Sequence, residues 1–274
     1  MYDTDQHPLS AFRQWLESRR LSPRTIQAYS CAVGQFFGRY PSVTPETLRL
    51  YKCFLLERYK PRTVNLRIRA INCYLEFLGM GEQRLSMLRI QQQTFLEHII
   101  SQADYEYLKQ CLLRDGNRLY YFIVRYMAAT GVRVSELVLL TVSDARRGYA
   151  DITSKGSRTR RVYIPVGLQA DTLSWLEESG RSKGALFPGS RGEPVTPAAI
   201  RGQLRKFHVL YGLDPRVMHP HAFRHRFAKN FIDACGDLSF LSDLLGHQSI
   251  ETTRIYLHHT AAEQQALVNR IVNW

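Results

Sequence analysis

Hydrophobic positions along the first third of the chain recur at helical spacing and outline four amphipathic helices. Leu9, Phe12, Trp15 and Leu16 share one face of the first. The second opens at Ser22-Pro23, a hydroxyl cap followed by proline at the first helical position, and carries Ile26, Tyr29, Val33 and Phe36 inward. Thr44-Pro45 repeats that start signal before Leu48, Tyr51 and Leu55. The fourth helix runs from about Pro61, turns Val64, Ile68, Ile71, Leu75 and Leu78 inward, and stops at Gly79. Its outward positions are expected to hold Arg62, Asn65, Arg67 and Arg69. From Gly81 to about Leu96 the period is lost, and Gln91-Gln92-Gln93 is polar. The expected organisation is a helical N-terminal domain over 1–90, a linker over 91–100 and a second domain over 101–274. In that second domain, residues 101–113 and 119–129 again read as helices. Asp151-Ile152-Thr153 and Arg161-Val162-Tyr163-Ile164 alternate like two short strands around the turn residues Ser154-Lys155-Gly156-Ser157. After Thr196 the pattern is mostly helical, so the expected fold is mainly α with one small β-hairpin in the second domain.

A length of 274 residues suits two modest domains. The 45% hydrophobic and 22% charged content excludes a disordered or fibrous chain. Charge changes the picture further. Lys and Arg number 37 against 24 Asp and Glu, a formal net charge of +13. The excess is spread, with 14 basic and 7 acidic residues in 1–95 and 23 and 17 in 96–274. A body that is basic throughout usually meets a polyanion, most often nucleic acid; charge kept for solubility alone is the alternative. The five cysteines form no CxxC pair and are odd in number, which fits a reducing compartment. Residues 1–12 contain two aspartates and no apolar run, and no uncharged stretch approaches the roughly 20 residues a membrane span needs. The expected location is cytoplasmic, associated with the nucleoid and not the membrane.

The candidate chemistry concentrates in His219-Pro220-His221-Ala222-Phe223-Arg224-His225-Arg226-Phe227. His221 and His225 have the spacing of two zinc ligands on a helix, but Ala222 stands where a metalloprotease carries glutamate, and the arginines repel a divalent ion. An anion site fits better, because His221 and Arg224, three residues apart, share a helical face and can address one phosphate.

With Arg133 at a helix start, Lys155 on the hairpin tip, His247 in Leu244-Leu245-Gly246-His247 and Tyr256 nine residues on, the chain resembles the tyrosine recombinase (phage integrase-like) family, and within it the simple two-domain Xer-like members. The resemblance spans the whole chain. TGVRVSEL is similar to the block with the first family arginine, here Arg133, with Glu136 at its acidic companion position. SKGSRTRRVYIP is similar to the hairpin carrying the family lysine, here Lys155 among Arg158, Arg160 and Arg161. HAFRH matches the H-x-x-R block through His221 and Arg224, and LLGHQSIETTRIYLH the block with the second histidine, His247, and the nucleophile, Tyr256. The resemblance implies two domains forming a clamp around DNA, a 3′-phosphotyrosyl intermediate and a Holliday junction, with no metal, ATP or other cofactor. Arg133, Arg224 and His247 would bind the non-bridging oxygens of the scissile phosphate, His221 would accept the proton of Tyr256, and Lys155 would protonate the departing 5′-oxygen. Glu136 would orient Arg133 or cap its neighbours rather than transfer a proton, and His225 would hold His221 or the backbone.

Phe223 departs from the family's usual leucine, a change of packing only. The resemblance further implies double-stranded DNA with inverted-repeat core sites and a homotetramer assembled by exchange of the C-terminal helix. Ala266-Leu267-Val268, Ile271, Val272 and Trp274 form an apolar stripe suited to that exchange, the alternative being a helix folded back on its own domain. Candidate DNA contacts are Arg24, Arg62 and Arg67 in the first domain and Arg158, Arg201 and Lys206 in the second. A relaxing topoisomerase with the same nucleophile, and a DNA-binding regulator on the same scaffold, are the competing functions. The target sequence, any accessory protein and the biological task, whether dimer resolution, integration and excision, or inversion, are not legible.

Overall fold

The computed structural model describes residues 8–90, 98–153, 159–247, 249–257 and 261–272. The chain divides into two compact units, Met1–Gln92 and Gln93–Trp274.

The first unit consists of α1 (Pro8–Ser18), α2 (Pro23–Phe37), α3 (Pro45–Arg58) and α4 (Pro61–Phe77), followed by a 3-10 turn at Gly81–Gln83. Each of the last three begins with proline, whose fixed φ and missing N–H suit the first turn. Ser22 and Thr44 cap two of them, accepting from the backbone N–H of Thr25 and Thr47 at 3.0 and 3.1 Å. The core is aromatic: Phe12 meets Tyr74 edge-on at 5.0 Å and Phe36 meets Tyr51 at 5.2 Å. Two positions of α4 differ from the helical reading. Leu78, expected inside, is the exposed C-cap residue. Asn65, expected outside, is buried, because its amide pairs with both backbone groups of Leu88, donating to the carbonyl at 2.9 Å and accepting from the N–H at 2.8 Å. Asn72 holds Leu85 in the same two-way manner. The segment after α4 is thus strapped along it by side chains that supply what a neighbouring strand would.

The second unit opens with α5 (Gln102–Arg114) and α6 (Arg118–Thr130), then two short helices, α7 (Val134–Leu137) and α8 (Val142–Arg147). Strands β1 (Tyr149–Thr153) and β2 (Thr159–Tyr163) pair antiparallel, Ile152 opposite Arg160. There follow α9 (Val166–Glu178), α10 (Pro197–Tyr211), α11 (Pro220–Cys235), α12 (Leu238–Leu245), α13 (Glu251–Arg254), a 3-10 turn at Ile255–Leu257, and α14 (Ala261–Ile271). The periodicity did not single out α7, α8 and α9. Ile99 and Ile100, expected in a linker, pack into this unit, and Arg226 of α11 fastens them by donating to the Ile100 carbonyl at 3.3 Å. The main core stacks Phe122 on Trp175 at 4.5 Å. A smaller cluster of Ala228, Ile232, Leu241, Leu245 and Tyr256 joins α11 to α12 and the last 3-10 turn. No helix among the described residues is long and apolar enough to cross a membrane.

Candidate active site

Helix α11 supplies the centre of the site. His219 caps it, its Nδ1 accepting from the N–H of Ala222 at 3.2 Å, and Pro220 starts it. From that start His221, Arg224 and His225 fall on one face, while Ala222 and Phe223 enter the core. Arg224 is only 4% exposed. One end of its guanidinium donates to the carbonyl of Gly131 at 2.5 Å, and the other to the carbonyl of Leu245 at 2.8 Å and to Nε2 of His247 at 3.0 Å. Arginine cannot accept, so Nε2 of His247 carries the lone pair and Nδ1 carries the proton, which it gives to the Thr253 hydroxyl at 2.8 Å.

Arg133 enters from the start of α7. Its backbone N–H donates to one oxygen of Glu136 and its guanidinium to the other, both at 2.9 Å, and its second terminal nitrogen donates to the Gly246 carbonyl at 3.1 Å. Arg160, from strand β2, donates to Glu136 at 2.7 Å and to the Leu244 carbonyl at 2.6 Å. Three successive carbonyls at the end of α12, those of Leu244, Leu245 and Gly246, are therefore each held by a different arginine. Helix C-termini expose unpaired carbonyls and a negative dipole end, so cations gather there. Gly246 permits the arrangement. Its φ of +62° ends the helix, and a Cβ would lie 2.3 Å from the Arg160 side chain.

These contacts and the burial around them shift the titration of several members. Burial would raise the Glu136 carboxyl, but the charges of Arg160 and Arg133 and the hydrogen bonds from Arg133 outweigh it and hold the group below its ordinary value. Burial, then the neighbouring Arg133 and Arg160, brings Arg224 down to about 10. Burial followed by the charges of Arg224, Arg133 and Arg160 lowers His247 to about 4. Burial also lowers His225 to about 4, helped by His221 and His219.

Tyr256 lies in the 3-10 turn after α13 and is 2% exposed. Its hydroxyl is 2.8 Å from Nδ1 of His225. Burial pushes the phenol up to about 12, against the pull of Arg224 and Arg133. His225, rather than His221, thus faces the hydroxyl. His221 is exposed on the same helix, its ring 6.3 Å from that of His225. The protein around its ring still shields it in part from water, and this together with the nearby Arg224 lowers its pKa as well.

Of the sequence-predicted residues, Arg133, Glu136, Arg224 and His247 are gathered by hydrogen bonds at the end of α12, His225 and Tyr256 form a bonded pair close enough to feel the charges of Arg224 and Arg133, and His221 lies at the edge. Lys155 and Arg158 lie outside the described residues. Arg24 and Arg62 are exposed on α2 and α4, and Arg201 and Lys206 on α10. Arg67 is half-buried instead. It bonds to Gln35 and lies 4.2 Å over the ring of Tyr59. Sequence reasoning missed two members, Arg160 and Thr253. Arg160 had a legible signal, since it alternates in phase with inward Val162 on β2; Thr253 had none. Among the described residues, no three His, Cys, Asp or Glu side chains group as a metal site.

Residues 97–263 match the phage integrase family. The chain is 30% identical to tyrosine recombinase XerD of Vibrio cholerae over 93% of this chain and 92% of that protein. It is 27% identical to tyrosine recombinase XerA of Pyrococcus furiosus over 96% and 93%. The fold is also similar to that of the lambda integrase chain in a structure of its tetramer bound to a Holliday junction, with a TM-score of 0.73, 15% identity, and coverage of 91% of this chain and 76% of that one.

Proposed function

The chain belongs to the phage integrase family, and on that premise we propose that it uses Tyr256 to cut and rejoin DNA strands through a covalent 3′-phosphotyrosyl intermediate. It is a site-specific DNA recombinase. The observation that carries the reading is the convergence of Arg133, Arg224 and His247 at the end of α12, close enough to Tyr256 that the charges of both arginines act on its hydroxyl.

A phosphodiester repels nucleophiles through its own charge. Guanidinium groups neutralise the non-bridging oxygens, and they hold the transition state more tightly than the ground state because charge grows there. The phenol oxygen forms a bond to phosphorus and the bond to the 5′-oxygen breaks. With the pKa of Tyr256 raised, its proton needs an acceptor. A neutral ring meets that need, and His225 stands at hydrogen-bond distance, with His221 as the alternative from the exposed side. Lys155 is the proposed donor of the proton that leaves with the 5′-hydroxyl. The phosphotyrosyl bond keeps the energy of the broken one, so attack by a second 5′-hydroxyl rejoins the strand without ATP. Tyr256 is buried, so the segment around it must shift before it reaches a phosphate.

The two units are proposed to clamp duplex DNA carrying inverted-repeat core sites, with Arg24, Arg62, Arg201 and Lys206 on its phosphates. Assembly into a tetramer on a Holliday junction, by docking α14 on a neighbouring copy, is supported by the exposure of Val268, Ile271 and Val272. The test is to lyse expressing cells in detergent and sequence DNA bound covalently to the protein. Adducts at one defined site that vanish in Tyr256→Phe are expected. Adducts that persist in that variant would place the nucleophile elsewhere, and scattered ones would indicate a relaxing topoisomerase.

A further inference from the structure

Resting on the recombinase reading, we propose that Arg160 is a positioning residue for DNA cleavage, which through Glu136 and the Leu244 carbonyl sets how Arg133 meets the scissile phosphate. Glu136 presents a difficulty that Arg160 answers. A carboxylate bonded to Arg133 holds that side chain in place, but it also cancels the positive charge that the phosphate needs. Arg160 brings a second positive charge to the same carboxylate, on the oxygen that also accepts the Arg133 backbone N–H. Glu136 and Arg160 then offset each other, and the charge of Arg133 remains for the phosphate. The Leu244 contact fixes the distance, because Arg133 and Arg224 hold the next two carbonyls of the same helix end.

The neighbouring residue on β2 shows what an arginine with no such task looks like. Arg161 pairs with exposed Asp151 across the hairpin, through two bonds of 2.8 Å, at the surface. Arg160 is instead drawn inside, its side chain 8% exposed, where desolvating a charge is costly. Its Nε is buried with no hydrogen-bond partner among the described residues. The site therefore keeps an arginine at a cost that burying an apolar side chain would avoid.

The experiment measures single-turnover cleavage of a nicked duplex carrying the core site mapped by adduct sequencing. It compares the full chain with Arg160→Gln and Arg160→Lys, each confirmed as folded by thermal melting. The lysine variant keeps the charge and the stem over Gly246, so it serves if the glutamine variant does not fold. Three versions of the duplex are used: the ordinary phosphodiester, a methylphosphonate that removes one negative charge at the scissile position, and a 5′-bridging phosphorothiolate whose leaving group needs no proton. Expected is near-normal DNA binding with cleavage slowed about a hundredfold. The methylphosphonate should restore much of that loss, and adding Glu136→Gln to Arg160→Gln should slow the reaction little further. Undiminished cleavage, equal loss on all three duplexes, rescue by the bridging sulfur alone, or fully additive losses would each overturn the proposal. If the unsubstituted chain forms no Tyr256 adduct, the recombinase reading itself fails, a result distinct from all of these.

Discussion

Among the described residues, the second unit puts arginine to a use that the first does not. In both, arginines lie over aromatic rings: Arg39 is 3.8 Å from the Phe54 ring, Arg67 4.2 Å from Tyr59 and Arg19 4.3 Å from Trp15 in the first, and Arg161 3.9 Å from Tyr149 in the second. In the second, Arg133, Arg160 and Arg224 turn inward to the carbonyls at the end of one helix. Both parts of the sequence are basic, so charge does not distinguish them. What differs is the acceptor. A ring needs no particular direction and leaves the guanidinium edge free for other partners, such as Gln35 for Arg67. A carbonyl or carboxylate fixes the fork at both ends, which suits a site that must hold one phosphate in one place.

The largest break of this comparison is expected at a glycine. Gly131 has a φ of +61°, and a Cβ there would lie 2.4 Å from the ring of Phe227. Gly131→Ala should cost about 2–4 kcal/mol, combining left-handed strain with overpacking, and displace the carbonyl that Arg224 holds. Gly79 of the first unit has a similar φ of +73° with nothing within 4 Å. Gly79→Ala should cost only about 1 kcal/mol. Urea unfolding of both variants measures the gap, and equal losses would remove the distinction.

Acid should separate the units next. His225 and His247 take up a proton only near pH 4 when folded, against about 6.5 when unfolded. Between those values the unfolded chain binds more protons, so the stability these two contribute is full above about pH 6.5 and is lost as pH falls toward 4. Residues 8–90 contain no histidine. Unfolding followed through Trp15 in one single-tryptophan variant and Trp175 in another should show the second unit weakening more across that window. Parallel loss at both probes would contradict the assignment.

The smallest effect sharpens the contrast within the first unit. Arg62→Ala should leave stability unchanged and lower the salt slope of binding to a random duplex by about 1. Arg67→Ala should lower stability by about 1 kcal/mol, because it loses the Tyr59 ring and the Gln35 bond. Binding titrations at several salt concentrations, paired with melting curves, distinguish the two.

Periodicity suffices where burial follows spacing along one helix, as with Phe12, Leu48 and Ile68, all buried. It fails for Asn65 because the partner of that amide is a backbone segment 23 positions away. It fails for Arg67 because the ring and amide that draw it in belong to other elements. The family blocks were legible because each is local: the cap at Arg133, the i and i+3 pair on α11, and the nine-residue step from His247 to Tyr256. Short-range hydrogen bonding and side-chain spacing encode such features directly.

Spacing along the chain therefore sets the amphipathic helices of the first unit, the hairpin, and the residue types able to hold and attack a phosphate. The packing of distant elements settled how those residues are aimed. Arg133 reaches a carbonyl 113 positions away, Arg224 one 93 positions away, and Arg160 one 84 positions away. It also decided that His225 faces Tyr256 and that Arg160 shares Glu136 with Arg133. The physical reason is that a helix C-terminus leaves its carbonyls unpaired whatever the distant sequence supplies. Which side chains reach them depends on how α6, α11, α12 and the hairpin pack, and no local pattern contains that information.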